Sequence, residues 1–87
     1  MYKPELFCRV CGYFYGIPIW GENGDSPLHD ICPCCGTEFG YEDFSKKAVI
    51  LNRKKWEIAG RIWFNRKKMP SDWSYEKQYL NIDEQYR

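Results

Sequence analysis

The chain has 87 residues, five of them cysteine, 18% aromatic, and a net charge of +1. A chain of that length makes one domain with a modest core and usually needs a staple, such as a metal or disulfides. No apolar run approaches the roughly 18 residues that a transmembrane helix requires, so a soluble, cytoplasmic protein with no membrane partner is expected.

The first element is a cysteine turn. Cys8-Arg9-Val10-Cys11-Gly12 is flanked by Glu5-Leu6-Phe7 and Tyr13-Phe14-Tyr15, whose aromatic residues suit short strands. Residues 5–16 therefore read as a hairpin with the turn at its tip. Residues 21–27 are rich in glycine, asparagine, aspartate and proline and leave little room for regular structure. A second cysteine turn follows, Cys32-Pro33-Cys34-Cys35-Gly36, and 20 residues separate Cys11 from Cys32. Phe39 and Tyr41 alternate with smaller residues beyond it, as a short strand would.

Two Cys-x-x-Cys turns can close a tetrahedral sulfur cage around one metal ion, most simply Zn2+. The expected ligands are Cys8, Cys11, Cys32 and Cys35. Four protein ligands leave no open position for water or substrate, which marks a structural site. The glycine after each pair permits the sharp turn, often at positive φ. The competing reading is two disulfides. An odd cysteine count and the lack of a signal-peptide pattern argue against it, as do the very small loops such bridges would close. Cys34 is surplus. It reads as a small buried residue beside the cage, or as a reactive thiol if its surroundings lower its pKa.

Residues 43–69 change character. Asp43 or Ser45 can cap a helix. Trp56, Ala59 and Trp63, widened by Leu51, Ile58 and Ile62, define an apolar face, while Arg53, Lys54, Glu57 and Arg61 fall away from it. This predicts an amphipathic helix over about residues 49–66. Gly60 inside it costs about 1 kcal/mol relative to alanine, and close approach to the ribbon would account for it. Pro70 prevents continuation. Ser74 then caps a second, short helix over residues 75–81, with Trp73 and Leu80 as core contacts and a frayed tail behind it.

Charge is segregated along these elements. Residues 1–45 carry two basic against seven acidic residues, a net −5; residues 46–68 carry nine basic residues against Glu57, a net +8; residues 69–87 are net −2. The basic segment, with Arg53, Lys54, Lys55 and Arg61 interleaved among aromatics, is a candidate nucleic-acid surface. The alternative is a solvated helix face opposite a tryptophan core. Little points to catalysis. His29 is the one histidine, and its closeness in sequence to Asp25 and Ser26 does not make a triad. Glu42 and Asp43 read as acids at a helix start. Gly21 and Gly24 fit a turn, not a phosphate cradle.

The cysteine turns, with Gly12-Tyr13-x-Tyr15 after the first, resemble a rubredoxin-type zinc ribbon. More closely, the chain resembles the small bacterial cysteine-rich CPCC family. That resemblance rests on residues 31–36 running into Phe39-Gly40-Tyr41, on Trp56 with residues 60–64, on Pro70-x-x-Trp73, and on Gln78-x-x-Asn81-Ile82. It covers roughly residues 6–82. It implies a fold and a metal: a small α+β zinc ribbon (rubredoxin-like) of antiparallel β hairpins with one long and one short C-terminal helix. The single domain 1–87 would divide into the ribbon at 1–42, the basic helix at 43–69, and a short helix and tail at 70–87. The expected function is a non-enzymatic, zinc-binding protein–protein interaction module with no small-molecule substrate. By analogy with small bacterial proteins of this size, its partner would be a toxin domain neutralised by an immunity protein. Nucleic-acid binding, or electron transfer through iron in place of zinc, are the alternatives.

Overall fold

The computed structural model describes residues 3–87; Met1 and Tyr2, the first two positions of the expected ribbon, lie outside the described residues. Two helices, α1 (Lys46–Ile58) and α2 (Tyr75–Tyr79), follow the cysteine turns, with 3₁₀ turns at Arg66–Lys68 and Glu84–Tyr86.

The expected antiparallel β hairpins of a zinc ribbon are not present. Among the described residues there is no β-strand and no sheet, only two isolated antiparallel bridges, Phe7 with Phe14 and Ile31 with Glu38. Each bridge sits at the base of one cysteine turn. The backbone explains why neither ladder grows. Gly16 at φ +86° turns the chain away just beyond the first bridge. His29 at φ +61° and Gly40 at φ +92° do the same on either side of the second. A left-handed residue breaks the extended geometry that a ladder requires. The two stems are tied sideways instead: Tyr15 Oη donates to Asp30 Oδ2 at 2.6 Å, and this bond pushes the Tyr15 pKa up to about 12.

Helix α1 starts where Ser45 accepts a hydrogen bond from the Ala48 N–H on its side chain. It ends at Ile58, about two turns earlier than the apolar pattern implies. Gly60 lies at φ +103° and Arg61 at φ +55°, the Gly60 N–H donates to Glu57 O, and the Arg61 N–H donates to Trp56 O. This is a Schellman terminus, with glycine in the left-handed position after the cap. Gly60 therefore stops the helix; it does not allow a close approach, since a Cβ there would meet nothing nearer than Ile62 Cγ1 at 3.8 Å. The buried face of α1 is Val49, Arg53 and Trp56, whereas Leu51 and Ile58 are exposed.

After the terminus the chain runs back across the second cysteine turn. Phe64 N donates to Cys34 O and Asn65 N donates to Pro33 O. Trp63 is buried by this return, while Phe64 stays largely exposed and lies over Gly36. An aromatic cluster then joins the helices to the first turn. Trp56 meets Tyr75 at 5.3 Å between ring centroids, Trp63 meets Trp73 at 5.5 Å, and Tyr13 meets Trp63 at 5.7 Å, all edge to face. Such pairs contribute about 0.5–1.5 kcal/mol each beyond their buried area.

Helix α2 is capped by Ser74, as its sequence suggests, but is shorter than expected and leaves Leu80 exposed. The tail is not frayed. Ile82 is buried, and the Tyr86 carbonyl accepts a hydrogen bond from the Arg53 guanidinium.

Gly12 marks the tightest contact between tail and cysteine turn. It lies at φ +82°, and a Cβ there would stand 2.2 Å from Gln78 O. Gly12→Ala should therefore cost roughly 2 kcal/mol or more, the sum of a left-handed backbone penalty and a backbone clash. Gly60→Ala carries the conformational penalty alone and should cost about 1 kcal/mol. Thermal melting of the two variants side by side checks the ordering.

Candidate metal centre

The two cysteine turns have the same local construction. In the first, Cys8 N donates to Tyr13 O and Gly12 N donates to Cys8 O. In the second, Cys32 N donates to Thr37 O and Gly36 N donates to Cys32 O. Gly12 and Gly36 both take positive φ, +82° and +78°. Each turn thus presents two sulfurs on one side, and the fold sets the two turns face to face.

The sulfurs of Cys8, Cys11, Cys32 and Cys35 all lie within 4.8 Å of one another. The nearest pairs run between the turns: Cys8 to Cys35 at 3.7 Å and Cys11 to Cys32 at 3.7 Å. A metal bound by four thiolates at about 2.3 Å would set sulfurs about 3.8 Å apart on the edges of a tetrahedron. The observed spacing fits such an ion, and it is far from the roughly 2.05 Å of a disulfide. All five cysteines are free. The four grouped residues could therefore hold a metal ion. Thiolate spacing alone does not choose zinc over iron.

Burial pushes the Cys8 and Cys11 thiols well above the ordinary range. Burial acts in the same direction at Cys35, but hydrogen bonding with Cys11, Cys32, Cys8 and Thr37 outweighs it and leaves that thiol well below the ordinary range. The Thr37 hydroxyl lies 3.0 Å from Cys35 Sγ, close enough to donate to a thiolate. Such a supporting bond orients a ligand and offsets its charge.

Cys34 stands outside the cage and is fully buried. Its sulfur accepts from Gln78 Nε2 at 3.3 Å, and the same nitrogen donates to Cys11 O at 2.9 Å. Gln78 Oε1 in turn accepts from Trp73 Nε1 at 2.8 Å. A thiol with no exposed surface is not positioned for exchange with an outside partner, and its contact with Gln78 joins α2 to the second cysteine turn.

Arg53 is the residue the sequence reading misplaces most. Expected on the polar face and offered as a candidate phosphate contact, it is only 5% exposed. It donates from Nε to Val10 O at 2.7 Å and from Nη2 to Arg9 O at 3.1 Å, besides the Tyr86 carbonyl. It thus ties the first cysteine turn to α1 and the tail. Of the other candidate phosphate contacts, Lys54 and Lys55 are exposed, and Arg61 lies over the Tyr75 ring at 4.5 Å. Arg9, next to Cys8, makes a comparable joint. Its guanidinium pairs with Glu5 at 2.7 Å and lies between the rings of Trp20 and Tyr86 at 4.2 and 4.5 Å. The bonds these arginines and Gln78 make to distant carbonyls have no local sequence signal, because their partners lie 33 to 67 residues away.

The remaining titratable candidates are dispersed. His29 is exposed, with Glu38 Oε2 at 3.9 Å from its Nδ1, and Ser26 bonds to Asp25. Glu42 and Asp43 do not cap α1. Glu42 accepts from Glu38 N, and buried Asp43 accepts from Gly40 N at 2.7 Å, so both brace the loop after the second turn. Burial pushes the Asp43 carboxyl above its ordinary value.

No family model and no solved structure gives a significant match to this chain. Two proteins of Bacillus subtilis (strain 168), both described as uncharacterized, do match. YozI is 29% identical over 79% of this chain and 71% of its own length. YoaQ is 32% identical over 75% of this chain and 68% of its own length. The chain belongs to the family of YoaQ.

Two outcomes test the cage. Cys11→Ser should lose stoichiometric metal and most of the cooperative melting transition, whereas Cys34→Ser should keep the metal; elemental analysis and melting read both. Metal affinity should also depend on pH. A metal must displace protons from the Cys8 and Cys11 thiols, whose pKa values are raised, so uptake releases protons and affinity falls on acidification. More than one proton per metal means a loss of more than about tenfold per pH unit, readable by competition with a chromophoric chelator from pH 8 to 6.

Proposed function

We propose that this chain is a non-enzymatic protein-recognition module whose fold is held by one structural Zn2+ at Cys8, Cys11, Cys32 and Cys35. The observation that carries the reading is the closed donor set. Four cysteine sulfurs within 4.8 Å of one another would fill a tetrahedral shell and leave no position for substrate. Large apolar side chains at the surface support recognition of a protein. Ile58 is 85% exposed, and Tyr41, Phe44 and Leu80 are also exposed.

Membership of the CPCC family and a role as an immunity partner of a toxin domain are the most concrete form of this reading. Five free cysteines suit a reducing, cytoplasmic setting. No helix among the described residues is long and apolar enough to cross a membrane. Nucleic-acid binding is the weaker reading. Arg53 is turned inward, and Trp56 and Trp63 are buried, which removes a cation and the two best stacking rings from the basic segment. Iron in the cage would make an electron carrier instead, and the sulfur spacing suits it equally.

Native mass spectrometry of protein purified gently from its own host, without chelator, tests the proposal. One zinc and a stoichiometric protein partner are expected. One iron, or a metal-free monomer that stays folded, would overturn it.

A further inference from the structure

Helix α1 has two unlike faces. Val49, Arg53 and Trp56 are buried, while Leu51 and Ile58, two turns apart, are 52% and 85% exposed. Lys54 and Lys55 lie between those two aliphatic residues and are exposed too. Beyond the helix end, Arg61, Ile62, Trp63, Arg66 and Met69 line a shallow notch of about 210 Å³. The notch likewise sets cations, Arg61 and Arg66, beside apolar side chains, Ile62, Trp63 and Met69.

The charge of this segment is strongly one-sided. Residues 46–68 contain nine basic residues and one acid. That acid, Glu57, accepts a hydrogen bond from Tyr75 Oη at 2.9 Å. Lys54, Lys55, Arg66, Lys67 and Lys68 make no ion pair among the described residues. Clustered like charges at a surface draw a partner of opposite sign and raise its association rate.

We propose that the outward face of α1 and the notch beyond it dock an acidic, aliphatic-containing segment of another protein, a proposal that rests on the protein-recognition reading. Carboxylates on the segment would meet Lys54, Lys55 and Arg66, and its aliphatic side chains would cover Leu51, Ile58 and Ile62. The side chains on offer favour a protein over nucleic acid. Single-stranded nucleic acid binds such sites by stacking bases on planar rings. Here Trp56 and Trp63 are 7% and 4% exposed, and branched aliphatics hold the surface positions. Phe64, the exposed aromatic of the segment, is laid against Gly36 of the second cysteine turn.

Photocrosslinking with the full, metal-loaded chain in its own host tests this. A benzophenone amino acid is placed singly at Leu51, Ile58, Phe14 or Tyr41, all of them exposed. Positions 51 and 58 are expected to mark one segment of one other protein, rich in Asp or Glu with aliphatic neighbours. K54E/K55E, which alters only exposed side chains, is expected to keep the metal, remove those adducts, and weaken binding of a synthetic peptide of the marked segment by at least tenfold. Adducts with nucleic acid, with a second copy of the chain, or with a segment lacking excess acid would overturn the proposal, as would adducts that survive charge reversal. Protein adducts from Phe14 and Tyr41 alone would overturn this surface yet leave the protein-recognition reading standing. No protein adduct from any of the four positions would remove both.

Discussion

Two cysteine turns that face each other, with their closest sulfurs 3.7 Å apart across the gap, are the constraint on which the other contacts depend. Four thiols at that spacing, three of them fully buried, have little reason to stay together without an ion. Their polar sulfurs lie in a small core, and deprotonating several of them there without a cation is costly. A shared metal changes the sign of that arrangement. It would turn two weakly held loops, each closed by a single bridge, into one rigid unit, with binding energy acting as folding energy.

The helical half is fitted to that unit through polar joints as well as apolar packing. Arg53 reaches from α1 to carbonyls of the first turn, and Gln78 reaches from α2 to Cys11 O and Cys34 Sγ. The return segment adds Phe64 N and Asn65 N on carbonyls of the second turn. These bonds satisfy carbonyls of the turns themselves, so the turns can be buried at small cost. Between the joints, Trp56, Trp63, Trp73, Tyr75 and Tyr13 form one continuous aromatic cluster. The surface left over is divided in the same way as the sequence. The acidic half carries the cysteine turns, and the basic half presents Lys54 and Lys55 between exposed aliphatics.

Local chemistry was legible in the sequence, and distant chemistry was not. The two cysteine pairs, the glycines that follow them and the Ser74 cap all act within a few residues, so spacing alone identifies them, while it leaves the α1 cap open between Asp43 and Ser45. The hairpins were misread because aromatic residues around a turn signal strand propensity, while His29, Gly16 and Gly40 set the backbone angles that end each ladder. The extent of α1 was misread because Ile58, Ile62 and Trp63 continue a helical apolar pattern past Gly60, although Ile58 is exposed and Trp63 is buried from a non-helical segment. Arg53 was misplaced for a related reason. A periodicity argument sends arginine to the polar face, but backbone carbonyls are strong acceptors, and this guanidinium serves two of the first cysteine turn and one of the tail at once.

The most direct test of the account is a heteronuclear NMR spectrum of the chain before and after its metal is stripped by chelator under reducing conditions. The account predicts dispersed amide and indole signals in the loaded protein, their collapse on stripping, and recovery when one equivalent of zinc is returned. A stripped protein whose dispersed spectrum is unchanged would show that the aromatic cluster and polar joints hold the fold alone, and would contradict the central role given to the cysteine cage.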